Sequence, residues 1–450
     1  MQQEQHLVQQ LDSLSNAIER GAYSKVQTLL NALHPAEIAH LIESSPVGQR
    51  KVIWKMVEAK NEGEVLIELR DEVRAMLVQD MNTGEVIAAA KDLDVDDLAD
   101  FLQSLPDKLI SKILASLDRQ NRQRVEAVLA YPEDTAGGMI DTNVITARPD
   151  VSIEVVLRYL RRLKEIPSHT DSIFIVDNFN NYLGTLSIST LLTQQPESIV
   201  RDVMRTKRKT IPVDLADTEV AILFEDRNWV SAPVIDKDNK LLGHITVDDV
   251  VDVIRDEAEH SVLSTAGLDE EDDLFAPIVH SSKRRAIWLG TNLITALLAS
   301  SVIGQFQNAL DQIVALAILM PIVASMGGIA GTQTLTLVTR GIALGQISQS
   351  NIANLFNREF WVGFINGVLW ATVVGLIAWF WFDDYKIGAI IAAAMIINLL
   401  VASSFGVLLP LFLKKINIDP ALAGSVALTT ITDVVGFLSF LGLASLFLLA

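Results

Sequence analysis

The 450-residue sequence contains no cysteine, which rules out disulfides and thiolate metal sites. Basic residues are in short supply: 36 Lys and Arg stand against 55 Asp and Glu, a formal net charge of -19. A chain this acidic lacks the basic face that nucleic acid requires, so a nucleic-acid partner is excluded. The pattern G-x-x-x-x-G-K-[ST] does not occur, so the chain has no phosphate-gripping loop of that kind. It reads as a protein that moves or binds something, not as an enzyme. The first residues, MQQEQHLVQQL, lack the basic-then-apolar pattern of a signal peptide, so the segment they open is expected to stay in the cytosol. Long apolar runs are missing before Arg285.

What is present divides into two contrasting halves. Only six of the 55 acids and five of the 36 bases lie from Ala286 onward, leaving 49 acids and 31 bases in residues 1–285. The acidic half suits cation binding, and the apolar half suits a membrane.

Residues 1–130 show apolar spacings of three and four, as in Leu109, Ile113, Leu114 and Leu117, and predict an all-α domain. Leu33–Ile42 resembles Leu93–Leu102 sixty residues later, which suggests stacked helical hairpins. Asp94, Asp96, Asp97 and Asp100 crowd the start of the second copy, where a helix N-terminus favours negative charge. Residues 131–258 carry a different repeat. Ile175–Gly184 matches Val234–Gly243, and each copy reads strand, polar turn, glycine, strand and then a helix start. This α/β unit resembles a tandem pair of CBS modules, which often bind adenine nucleotides. The acid common at the helix start of nucleotide-binding copies is Asp249 in the second copy. Thr190 stands there in the first. The resemblance therefore makes ATP a candidate ligand.

An acidic helix and linker occupy residues 245–280. Asp249, Asp252 and Asp256 share one helical face, and a denser acidic run, Asp269–Asp273, follows Gly267. Five apolar runs long enough to span a bilayer then fill residues 283–450: Ala286–Phe306, Ile313–Val338, Phe360–Phe382, Ile387–Leu413 and Ala421–Leu449. Lys283, Arg284, Arg285, Arg340, Arg358, Lys414 and Lys415 fall on one side, and only Lys386 on the other. The positive-inside rule then places the N-terminal half in the cytosol and the C-terminus outside. The second run contains a Gly-rich stretch, Pro321–Thr334, which either permits close packing or breaks the helix beside a pathway. Asn366 and Asn398 are expected as buried interhelical amides.

The fifth run holds one acid, Asp433, with Ser425 and Thr429 on the same helical face. A charged carboxylate at that depth costs about 2.5–3.5 kcal/mol and so faces a bundle interior or a watery path.

The order of these parts resembles the MgtE family of magnesium channels over essentially the whole chain. The most specific pieces are Tyr131-Pro-Glu-Asp-Thr-Ala-Gly-Gly138, the loop from Met326 to Gln333, Asp419-Pro-Ala-Leu422, and Thr430-Ile-Thr-Asp-Val-Val-Gly436. The resemblance implies a homodimer in the cell (inner) membrane, in contact with lipid. Its pore would lie on the two-fold axis between second and fifth spans, and Mg2+ would be both cargo and regulator. It implies Asp433 as the pore carboxylate, with Thr332, Thr336, Ser425 and Thr429 lining the pore. It implies regulatory acids at Asp96 and Asp100 of the N domain, at Asp249, Asp252 and Glu257 of the second CBS copy and connecting helix, and at Asp419, which faces that helix. Ile329 stands where the family usually has Asn, and His260, Ser261 and Asn228 replace acids. The function expected is gated import of Mg2+ down its gradient. Alternatives are a channel for Mn2+, Co2+ or Ca2+, a CBS-regulated carrier, or a non-conducting sensor.

Overall fold

The computed structural model describes residues 17–18, 20, 22–91, 93–163, 166–167, 169–268, 273–416 and 418–449. Most of the expected acidic run after Gly267, residues 269–272, lies outside them. Contacts divide the chain into two compact units, Met1–Glu259 with Glu270–Pro277, and His260–Asp269 with Ile278–Ala450.

The first unit begins with short helices from Tyr23–Leu30 to Arg119–Val128, stacked in order along the chain. The repeat legible in the sequence marks two of them, Pro35–Glu43 and Val95–Gln103. His34 and Glu37 form a reciprocal cap at the first, with His34 N donating to Glu37 Oε2 at 2.9 Å. Arg50 is 1% exposed, and its guanidinium donates to Ile42 O, Glu43 O and Ser45 O. Its remaining fork grips Asp273 at 2.5 and 2.7 Å.

Two three-stranded sheets follow: β1 (Thr146–Ala147), β2 (Ser172–Val176) and β3 (Tyr182–Ser187), then β4 (Ile211–Pro212), β5 (Ser231–Ile235) and β6 (Leu241–Thr246). In each, the first strand runs parallel to the second and the second antiparallel to the third. The 59-residue repeat is visible in the register: Ile175 pairs with Gly184, and Val234 with Gly243. Asn180 and Asn239 occupy equivalent left-handed turn positions, a conformation Asn tolerates well. They bond reciprocally across the two copies, Asn180 Nδ2 to Leu241 O at 2.8 Å and Asn239 Nδ2 to Tyr182 O at 3.0 Å. The connecting helix, Val247–Leu263, grows directly out of β6.

The second unit contains five helices long and apolar enough to cross a membrane: Ile278–Gly304, Val314–Ala343, Ile352–Phe382, Tyr385–Lys415 and Pro420–Leu448. Several outrun the apolar stretches read from sequence. The first starts before Lys283-Arg284-Arg285 and the third before Arg358, because helical hydrogen bonding continues through polar flanks that hydropathy cuts off. The fourth is the most buried of the five. The second span remains one helix through Pro321 and its glycines. Close packing is therefore the operative reading of the glycines. A Cβ on Gly327 would stand 2.2 Å from Asn398 Nδ2, and one on Gly331 would stand 2.9 Å from Leu428 Cδ2. Asn398 is 1% exposed and donates to Val323 O at 2.9 Å, an interhelical bond of the expected kind. Asn366 corrects its expectation: it is exposed, on a face of the third span turned away from the bundle.

Candidate cation sites

Close approach of the second and fifth spans leaves a groove of about 730 Å3 along their outer side. Ser325, Gly328, Ile329, Thr332 and Thr336 line it from the second span, at the three- and four-residue spacing of one helical stripe. Thr429 and Asp433 line it from the fifth. Ser425, expected on the same stripe, is half-buried and is not among the lining residues.

The hydroxyl geometry favours a hydrated cation. Thr332 Oγ1 donates to Gly328 O at 2.9 Å, and Thr429 Oγ1 donates to Ser425 O at 2.9 Å. Each hydroxyl proton is thus turned back onto its own helix. The oxygen lone pairs remain as acceptors, and a cation's hydration shell presents hydrogens outward. Asp433 adds negative charge at the same groove. Ile329, 55% exposed, is the one large aliphatic side chain in the wall.

Asp419 lies outside the groove and, as expected, faces the connecting helix through His260. It caps the fifth span, accepting from Ala421 N at 2.9 Å and Leu422 N at 3.1 Å. His260 Nε2 lies 3.2 Å from its Oδ2.

The regulatory candidates fall in the first unit. Asp96 and Asp249 come together, each at the opening turn of its helix. Burial holds the Asp96 carboxyl well above the usual range, with Asp249, Asp141 and Asp97 adding repulsion. Its buried Oδ1 has no hydrogen-bond partner among the described residues. Burial likewise raises the Asp249 carboxyl, and the neighbouring charge of Asp248 adds to the rise. Hydrogen bonds from Thr246 act against the shift, its Oγ1 lying 3.2 Å from Asp249 Oδ2. Asp97 is pushed up to about 6 by lost hydration and by Asp94 and Asp248.

Asp100 keeps solvent access but faces another group. Lost hydration, then Glu133 and Asp97, raise it to about 7 against the pull of Arg74. Asp252 is exposed and pairs with Arg255 at 3.1 Å. Partial loss of hydration against its neighbours outweighs the lowering effect of Arg255, leaving its pKa raised. Glu257 is exposed on the connecting helix. Among the described residues, no three Asp, Glu or His side chains converge as a ready-made cation cage.

Sequence reading left out two participants. Asp141 joins the repulsion on Asp94, Asp96 and Asp97, yet it sits in a loop that no spacing rule links to them. Glu359 is 4% exposed in the third span, where the hydropathy boundary at Phe360 had put it outside the membrane.

The comparisons with known proteins agree along the chain. Residues 320–443 match the model MgtE, described as a divalent cation transporter. Residues 33–134 match the MgtE intracellular N domain, and 136–197 and 200–256 match the CBS domain. The chain is 26% identical over 430 residues to the magnesium transporter MgtE of Bacillus subtilis, covering 95% of each. It is 28% identical over 443 residues to that of Thermus thermophilus, covering 97% of this chain and 98% of the relative.

The chain belongs to the MgtE family.

A crystal structure of the cytosolic domain of the Mg2+ channel MgtE in complex with ATP is also similar. It is 30% identical with a TM-score of 0.50, covering 54% of this chain and 99% of that one. Two departures from the MgtE pattern acquire physical accounts. Asn228 ends the helix Asp217–Arg227 in a left-handed conformation, φ 50°, where Asn is favoured over an acid for its backbone tolerance. His260 faces Asp419 directly, where two acids would repel.

Proposed function

We propose that this chain is a magnesium channel that imports Mg2+ down its electrochemical gradient. The observation that carries the reading is the groove in which Asp433 stands with the outward lone pairs of Thr332 and Thr429. Magnesium is small, octahedral and slow to lose water, so it suits a site that contacts it through retained waters. One carboxylate per chain is too few for a cage. Two chains related by a two-fold axis, with their grooves facing, would enclose a path with two Asp433 carboxylates. Such a site binds loosely enough to release its ion.

Gating follows from the first unit. Without cations, Asp96, Asp97 and Asp249 repel across the two helix starts. With Mg2+ abundant, the ion bridges these acids and those around Asp100, Asp252 and Glu257, compacts the acidic half and closes the pore. Coupling of this kind is typically worth about 1–3 kcal/mol. The asymmetry of basic residues puts this half in the cytosol and the C-terminus outside. ATP is proposed as a ligand of the CBS pair, on the strength of the ATP-bound relative. Asp419, already a helix cap and partner of His260, takes part in docking the connecting helix.

Magnesium flux into liposomes holding the full chain tests this reading. Uptake that is saturable, lost with Asp433→Ala and suppressed by internal Mg2+ supports it. Absence of flux in the wild-type chain overturns it. Ile329 in the groove favours a second reading, a channel for another divalent ion, and competition with Mn2+, Co2+ and Ca2+ in the same assay decides between them.

A further inference from the structure

The third span carries a carboxylate that takes no part in the groove. Glu359 is the eighth residue of Ile352–Phe382 and is 4% exposed. Its Oε1 accepts from Arg358 Nη1 at 2.9 Å, and the arginine side chain, 65% exposed, extends outward. Its Oε2 faces Thr334 Oγ1 of the second span at 3.4 Å. Thr334 is 6% exposed. On its other flank lies Gly406 of the fourth span, where a Cβ would stand 2.7 Å from Thr334 Cβ. Three helices therefore meet at one threonine, and the notch that admits it is a glycine.

A carboxylate buried inside a membrane helix is expensive and marks a functional place, and this one is held by partners on two helices. The third span packs mainly against the fourth, which makes the Glu359–Thr334 contact one of its few links to the second. Thr334 is two residues from Thr332 and from Thr336. Two residues turn a helix by about 200°. A grip on Thr334 at the back of the helix therefore fixes where both groove hydroxyls point at the front.

We propose that Glu359 is a positioning residue for cation passage. By holding Thr334 it sets the rotation of the second span and the aim of Thr332 and Thr336. This rests on the groove being the cation path.

The test measures magnesium flux in liposomes, its competition by manganese and the thermal midpoint, for the full-length chain and four variants. Thr334→Val keeps the shape and removes the donor. It should lower maximal flux about threefold or more, the worth of an interhelical hydrogen bond in a membrane. It should also shift the preference for magnesium over manganese, a change that a fall in the midpoint alone does not produce. Thr334→Ser should restore both. Glu359→Gln, which keeps an acceptor, should retain more flux than Glu359→Ala. Wild-type flux and preference in Thr334→Val overturn the proposal. So does a flux loss that only tracks lost folded protein while the preference stays constant. Should Glu359→Ala fail to fold, Thr334→Val and Glu359→Gln decide. A wild-type chain that carries no magnesium overturns the groove reading and this inference with it, an outcome distinct from normal wild-type flux with unaffected variants.

Discussion

Replacing Asp97 by Asn probes the acidic half at its most crowded point. Its carboxyl is raised from 3.8 to about 6 in the folded chain, first by lost hydration and then by Asp94 and Asp248. An acid raised on folding binds its proton more tightly folded than unfolded. Its contribution is complete below about pH 4 and is lost as pH rises through about 6. Asp100 extends the loss to about pH 7. In chelator, the first unit should therefore weaken steadily from about pH 4 to about pH 7. The rise at Asp97 corresponds to about 3 kcal/mol, and partial solvent screening reduces that to about 1–2 kcal/mol. Asp97→Asn should recover that amount at pH 7.5 without divalent ions, about half of it at pH 5 and little below pH 4. Millimolar Mg2+ should protect wild type at pH 7.5 far more than at pH 5, where protons already neutralise the cluster. The assay is thermal unfolding with limited proteolysis of the full chain across pH, with chelator or Mg2+. A variant no more stable than wild type at pH 7.5 in chelator refutes the reasoning, as does Mg2+ protection that is the same at both pH values.

Three further outcomes follow from packing. Arg50→Ala should destabilise the first unit by about 3–5 kcal/mol, since it strands Asp273 without its partner. Adding Asp273→Ala should recover part of this in chemical unfolding. Gly327→Ala should push Asn398 off Val323 O and lower the thermal midpoint of the membrane unit, because the new Cβ lands 2.2 Å from Asn398 Nδ2. Gly267→Ala should cost about 1–3 kcal/mol, since φ is 69° there and the Cβ would meet the Trp288 ring at 2.1 Å.

Much of this architecture was legible because its signals are periodic. The 59-residue repeat became two sheets in the same register, and the apolar runs became five membrane-length helices. Asp433, Thr332, Thr336 and Thr429 were reachable from helical spacing and resemblance together, and the groove brings these four side by side. Other features could not be read that way. The burial of Glu359 depends on a helix that continues past an apolar boundary, and hydropathy averages over charge. Asn366 has the same residue type as Asn398 and a similar apolar setting, yet only three-dimensional packing decides which one faces a neighbour. The influence of Asp141 on Asp96 crosses from a loop to a helix start, a juxtaposition with no local sequence mark. Ser425 shows the limit of spacing itself, since a helical stripe longer than the groove carries some members beyond it.

Flux through Asp433→Ala, Asp433→Asn and Asp433→Glu tests whether Asp433 carries the ion. Removing the intramembrane carboxylate in the Ala and Asn variants relieves an insertion cost of about 2.5–3.5 kcal/mol, and the Glu variant keeps the same group, so assembly should survive all three changes. Magnesium flux should vanish in the Ala variant and be poor in the Asn variant, which keeps an acceptor without the charge. The Glu variant, its charge displaced by one methylene, should conduct with altered preference among divalent ions. Thermal midpoints measured on the same samples should stay near wild type. Wild-type magnesium flux from Asp433→Asn, or a loss of flux explained by loss of folded protein in all three, would contradict the account.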